Sequence, residues 1–155
     1  MRNLVLPLLL LMAFNPSGHA KTNNFSIVVE HTGTETLDLG QTGASMGDIV
    51  VTRGLVLNSK SLEKMGSYVA RKIIISVDTA GGQDERDTLA EYLLPDGTIT
   101  INGITSNNSG TNLPSKTSVR PIVGGSGKYL GVRGTSTVSP IAGQPNRFLI
   151  NLKFK

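Results

Sequence analysis

From residue 25 onward, apolar side chains recur at every second position, the spacing that puts successive residues of an extended chain on one face. Phe25, Ile27 and Val29 alternate with Ser26 and Glu30. Ile49, Val51, Leu55 and Leu57 alternate with Asp48, Thr52 and Gly54, and Val69, Ile73, Ile75 and Val77 alternate with Ala70, Lys72 and Ser76. Residues 87–94 and 98–102 flank Pro95-Asp96-Gly97, where proline fixes φ and Asp-Gly supplies positive φ, so they predict a hairpin. Residues 116–123, 130–139 and 147–153 complete a series of eight strands, the last presenting Phe148, Ile150, Leu152 and Phe154 on one face. Residues 58–64 predict a turn of helix, and residues 79–86 and 105–115 read as polar loops.

Eight antiparallel strands in one open sheet leave two edges unpaired. Closing the sheet removes both and gives an interior that side chains fill or that holds one small ligand. The pattern therefore favours an all-β, closed eight-stranded antiparallel β-barrel, with a two-sheet sandwich as the alternative that alternation alone permits. In either case Arg53 shares a face with Ile49, Val51, Leu55 and Leu57, and Arg71 with Val69, Ile73 and Ile75, which points both inward. A buried guanidinium needs an anionic partner or a ligand, and Glu91, between Leu89 and Leu93, is a candidate partner. Arg53, Arg71 and Glu91 are thus candidate catalytic residues that would orient or protonate an apolar guest. The competing reading is a bulge beside Gly54 that turns Arg53 outward, with Arg71 and Lys72 on a solvated edge.

Between the sixth and seventh strands runs Val123-Gly124-Gly125-Ser126-Gly127-Lys128-Tyr129-Leu130-Gly131-Val132-Arg133-Gly134, whose glycines predict a tight hairpin. Phosphate-binding readings fail on context. Gly127-Lys128 is followed by Tyr129 and a strand rather than by Ser or Thr opening a helix, and Leu130 stands where a dinucleotide fingerprint needs glycine. The run Gly124-Gly125-Ser126-Gly127-Lys128-Tyr129, then Val132-Arg133-Gly134, resembles the Gly-Gly-Thr-Gly, aromatic and Ala-Arg-Gly signature of the allene oxide cyclase and dirigent proteins. Met46-Gly47-Asp48-Ile49-Val50 and Gly66-Ser67-Tyr68-Val69 resemble the family's early barrel strands. The likeness runs from about residue 40 to residue 154. It implies an antiparallel barrel that guides a small molecule without a cofactor, Tyr129 and Arg133 as ligand-binding residues, and assembly as a trimer or dimer through outer residues such as Tyr68 and Ile74. Periodicity instead groups Leu130, Val132 and Val138 on one face and puts Tyr129 and Arg133 on the other. The chain departs from the dirigent pattern at Val51-Thr52-Arg53, where that pattern carries paired aspartates, and this argues against dirigent-type acid chemistry there.

Residues 1–20 change the picture at one end. Met1-Arg2-Asn3 and an apolar run from Leu4 to Phe14, too short to span a bilayer, lead to small residues at Gly18 and Ala20. They read as a signal peptide cleaved before Lys21, which leaves residues 21–155 as one barrel domain in a secreted or periplasmic protein with no membrane segment in its mature form. The chain has no cysteine, which excludes disulfides, thiolate metal sites and a thiol nucleophile. Its net charge of +4 comes from singly scattered basic residues, with no tryptophan and 5% aromatics, so it lacks the charged, stacking groove of a nucleic-acid binder. His31 is the one histidine outside the leader and is expected at a strand-end surface, so no metal site is expected. No serine stands in a nucleophile elbow, and Asp84-Glu85-Arg86-Asp87 reads as a solvated turn. Sequons stand at Asn24 and Asn107.

The reading these features favour is a secreted barrel that encloses a small hydrophobic or phenolic molecule and guides its cyclisation or coupling. The alternative is a non-catalytic interaction module with a filled core.

Overall fold

A computed structural model describes residues 23–78, 80, 82–108 and 112–155; the expected signal peptide, residues 1–20, lies outside them. Eight strands run in chain order: β1 (Phe25–Leu37), β2 (Ile49–Asn58), β3 (Lys64–Asp78), β4 (Gln83–Leu94), β5 (Gly97–Asn108), β6 (Ser118–Gly125), β7 (Gly134–Ile141) and β8 (Gln144–Phe154). Each pairs antiparallel with its sequence neighbour, and β1 pairs with β8 through Ile27 opposite Ile150 and Val29 opposite Phe148. The sheet is a closed barrel, so the sandwich is excluded. Among the described residues, no helix is long and apolar enough to cross a membrane.

The Pro95-Asp96-Gly97 hairpin forms as expected between β4 and β5. Other sequence expectations are corrected. Residues 58–64 form no helix, running from the end of β2 through a turn at 59–61 to the start of β3, and residues 83–86 and 105–108 belong to β4 and β5. The glycine-rich segment is not a tight hairpin. A 3₁₀ turn (Gly127–Tyr129) separates β6 from β7, with Gly127 at φ 58 and pressed so closely to the Asp96 carbonyl that a Cβ would collide with it. This turn carries Tyr129 into the end of the barrel, where its ring centroid lies 6.2 Å from that of Phe25 and 6.5 Å from that of Phe154.

Which face of each strand looks inward decides everything about the lumen. In β1 and β8 the expected residues do so: Ile27, Val29, Phe148, Ile150 and Leu152 are buried. In β2 and β3 the expected face is the wrong one. Val50, Thr52, Gly54 and Val56 are buried in β2, and Tyr68, Ala70, Lys72 and Ile74 in β3, while Ile73 and Ile75 are exposed. Tyr68 and Ile74 therefore cannot be the outer subunit contacts suggested above. The error is a one-residue shift, and in a strand that sends every side chain to the opposite face.

The interior is divided along its axis. At the end where β1 begins and β8 stops, Phe25, Tyr129 and Phe154 close an apolar core containing Leu94, Ile99, Ile122 and Leu152. Toward the other end the inward positions turn polar: Lys72, Asp84, Arg86, Thr88, Thr105, Asn107 and Arg120 are all buried.

Candidate functional site

The proposed cluster of Arg53, Arg71 and Glu91 does not face the lumen. Arg53 pairs with Glu35 at 2.6 Å and Arg71 with Glu91 at 3.1 Å, both on the outside of the barrel with both arginines more than half exposed. The partnership of Arg71 and Glu91 exists, but water surrounds it. Arg133 is likewise exposed, donating to the Val132 carbonyl at 2.8 Å, whereas Tyr129 is buried in the apolar plug and Leu130 is exposed. Periodicity thus misplaces Leu130 and Tyr129, while the resemblance expects Tyr129 and Arg133 beside the pocket and the structure puts one in the plug and the other outside.

The polar groups that do share the interior come from positions the sequence reading passed over. Asp84 and Arg86, two apart on β4 and therefore on one face, form a bidentate pair: Arg86 Nε donates to Asp84 Oδ1 and Nη2 to Oδ2, each at 2.6 Å, with both side chains wholly buried. The reading of this run as a solvated turn is corrected. Beyond the pair, the hydroxyls of Thr88 and Thr105 meet at 2.8 Å across β4 and β5. Lys72 points in from β3 and donates from Nζ to the Asn112 carbonyl at 2.9 Å. The same carbonyl accepts from Asn107 Nδ2 at 3.0 Å, so the Asn107 sequon side chain is buried. Asn112 holds this oxygen in place with a left-handed backbone, φ 58. Arg120 enters from β6 and is 5% exposed, yet its Nε and Nη1 have no hydrogen-bond partner among the described residues.

Of these residues, Lys72, Thr88, Thr105 and Arg120 line a cavity of about 50 Å³. Lys72, Arg120, Tyr68 and Tyr92 line it on the polar side, and Val29, Phe148 and Ile150 are among its apolar walls, with Leu113 and Pro114 at its end. Tyr68 fits because β2 carries Gly54 opposite it. A Cβ there would run into the Tyr68 ring and the Glu30 carbonyl. The Tyr68 hydroxyl lies 3.1 Å from His31 Nδ1, and His31 Nε2 lies 3.0 Å from Thr34 Oγ1. His31 is thus half-buried behind the lumen wall and not a free surface residue, next to the bulge in β1.

Electrostatics follow from the burial. Removal from water above all, together with the guanidiniums of Arg86 and Arg120 and against the opposing Asp84, pulls the Lys72 ammonium down to about 7. Burial also lowers Arg120, against the influence of Tyr92, and raises the phenols of Tyr68 and Tyr92. His31 is lowered by burial and by Lys72. The buried carboxylates among the described residues are Asp84, committed to Arg86, and Asp48, which accepts from the Leu39 and Ser45 amides at 2.8 and 2.7 Å. Those amides hold Asp48 below the usual carboxylate range. No cluster of His, Asp and Glu able to hold a metal ion occurs among the described residues.

No protein-family model and no curated protein matches this chain. Solved structures do. Pyocyanin demethylase superposes with a TM-score of 0.66 at 17% identity, over 86% of this chain and 100% of its own. The exo-specific intermolecular Diels-Alderase AbnU superposes with a TM-score of 0.52 at 20% identity, over 84% and 100%. A pterocarpan synthase dirigent protein superposes with a TM-score of 0.57 at 15% identity, over 83% and 90%. At these identities the likeness is one of fold, and it agrees with the resemblance carried by the glycine-rich segment: the chain has the closed eight-stranded barrel shared by dirigent proteins and Diels-Alderases.

Proposed function

We propose that this barrel takes a small, mainly apolar molecule into its lumen and guides its cyclisation or coupling. The observation that carries the proposal is the cavity itself, an apolar-walled space into which two buried cations, Lys72 and Arg120, present incompletely satisfied N–H groups. A buried cation left short of partners is costly, and such a site is stabilised by a guest that supplies the missing acceptor. The shape of the walls would fold a flexible guest so that its reacting atoms approach. Arg120 would stabilise negative charge developing on a carbonyl or enol oxygen, and Lys72, near its titration point at neutral pH, would move a proton. Asp84 takes no part, because both its oxygens are held by Arg86. The apolar leader supports export of the protein before it meets its guest.

One observation favours a second reading. At about 50 Å³ the cavity is far smaller than a drug-sized site, and Phe148, Ile150 and Leu152 fill much of the remaining interior, as in an interaction module with a packed core. Melting the purified protein with a panel of phenolic, fatty-acid and polyketide-like compounds separates the two. A ligand bound only by the folded state raises the melting temperature, so concentration-dependent stabilisation that Arg120→Met diminishes supports the guest-guiding barrel. No shift with any compound supports the packed module.

A further inference from the structure

We infer that the guest of the lumen is an anion, a small monocarboxylic acid or its equivalent, held by Arg120 and Lys72 at the polar side of the cavity while its hydrocarbon part lies against Val29, Phe148 and Ile150. This rests on the lumen being a binding site and adds the charge of what it binds. Among the described residues, three cations, Lys72, Arg86 and Arg120, are buried in this end of the barrel. Against them stand two carboxylates whose oxygens are already occupied, Asp84 by Arg86 and Asp48 by backbone amides. Among the described residues, Lys72 has a single neutral acceptor, a backbone carbonyl, and Arg120 has two guanidinium nitrogens with none.

Both unmatched cations line one cavity, so a single carboxylate could answer both. A neutral guest would leave the excess positive charge uncompensated. The outer ion pairs do not contribute, because Arg53 and Arg71 project away from the lumen.

An anion entering here also changes the protonation of Lys72. Burial and the neighbouring guanidiniums disfavour its charged form; a carboxylate beside it reverses that balance. The other charged and titratable groups facing this end of the lumen are these. The phenols of Tyr68 and Tyr92 are raised, His31 and Asp48 are lowered, Arg120 remains a cation, and Asp84 and Arg86 are locked together. Binding of an acid above neutral pH is therefore accompanied by uptake of a proton at Lys72.

The test is calorimetric titration of the purified protein with butanoate and benzoate, each beside its neutral amide, butanamide and benzamide. At pH 6.5 each acid is expected to bind at least tenfold more tightly than its amide. At pH 8, in two buffers of different ionisation enthalpy that are neither carboxylate nor phosphate, acid binding is expected to take up close to one proton. Lys72→Met should abolish that uptake, and Arg120→Met should lower acid affinity at least tenfold and narrow the acid-to-amide ratio. Should either variant fail to fold, the acid-to-amide ratio and the proton count of the unaltered protein still decide. Equal binding of acids and amides overturns the anionic guest and leaves the binding lumen standing. Acid binding without proton uptake at pH 8 overturns the role of Lys72, and no binding by any of the four overturns both the inference and the lumen as a site for guests of this size.

Discussion

Lys72 is the residue whose chemistry departs furthest from what its type alone would suggest. In an unfolded chain its amine holds a proton to well above pH 9, but in the barrel it gives that proton up near pH 7. Between those values the unfolded state binds more protons than the folded one, so stability rises with pH across the window from about 7 toward 10. Urea denaturation at intervals of pH should show this rise in the wild type and lose it in Lys72→Met. At acidic pH the lowered His31 acts in the same direction, costing stability as pH falls through its unfolded value of 6.5. Arg86 poses the opposite case. Its pair occupies both oxygens of Asp84, although its own Nη1 has no partner among the described residues, so Arg86→Met strands a buried carboxylate and should cost ~3 kcal/mol or more, read from the shift in urea midpoint. None of these inward charges was legible as such. Lys72 follows Arg71 and Asp84 opens an acidic run, and a run of charge ordinarily means water. The usable signal was the spacing of Asp84 and Arg86, opposite charges two apart on one strand and so on one face.

Among the elements, strand existence was easy to read and strand facing was not. In β1 and β8 the inward positions carry Ile27, Val29, Phe148, Ile150 and Leu152, and the alternate ones are mostly polar apart from Val28 and Leu149, so alternation gave the right face. In β3 the outward set Val69, Ile73 and Ile75 is more hydrophobic than the inward set Tyr68, Ala70, Lys72 and Ile74, because the lumen there is lined by polar groups. A rule that assigns the greasier face to the interior must fail in such a strand. The 3₁₀ turn between β6 and β7 shows a different limit. Its glycines announced a chain reversal correctly but not that the reversal would carry an aromatic stopper. Tyr129→Ala should remove that stopper from Phe25 and Phe154 and lower stability by about 3 kcal/mol, measured by thermal or urea melting.

For the whole molecule, closure was the sound inference, since eight alternating strands have few other ways to hide their edges, and β1 meets β8 in register. Closure also makes inside and outside energetically distinct. Arg53→Ala and Arg71→Ala each break an ion pair that water already screens, and each should change stability by less than about 1 kcal/mol while leaving any guest binding untouched. Melting curves and titrations of these two variants beside Arg120→Met would map that division. Joining the two chain ends of the sheet demands contacts between residues far apart in sequence, so folding should be slow for a domain of this length, in the range of milliseconds to seconds by stopped-flow fluorescence of its tyrosines.

The carbonyl of Asn112 serves two buried donors at once, and it does so with an atom that every amino acid possesses. Mutation cannot delete that oxygen; it can only move it by altering the curl of the main chain. Replacement by glycine, which tolerates the same left-handed curl, should therefore be nearly silent, whereas valine, equally able to supply the oxygen, should be costly. At this position heredity is constrained to preserve a contour and is free to rewrite the letter.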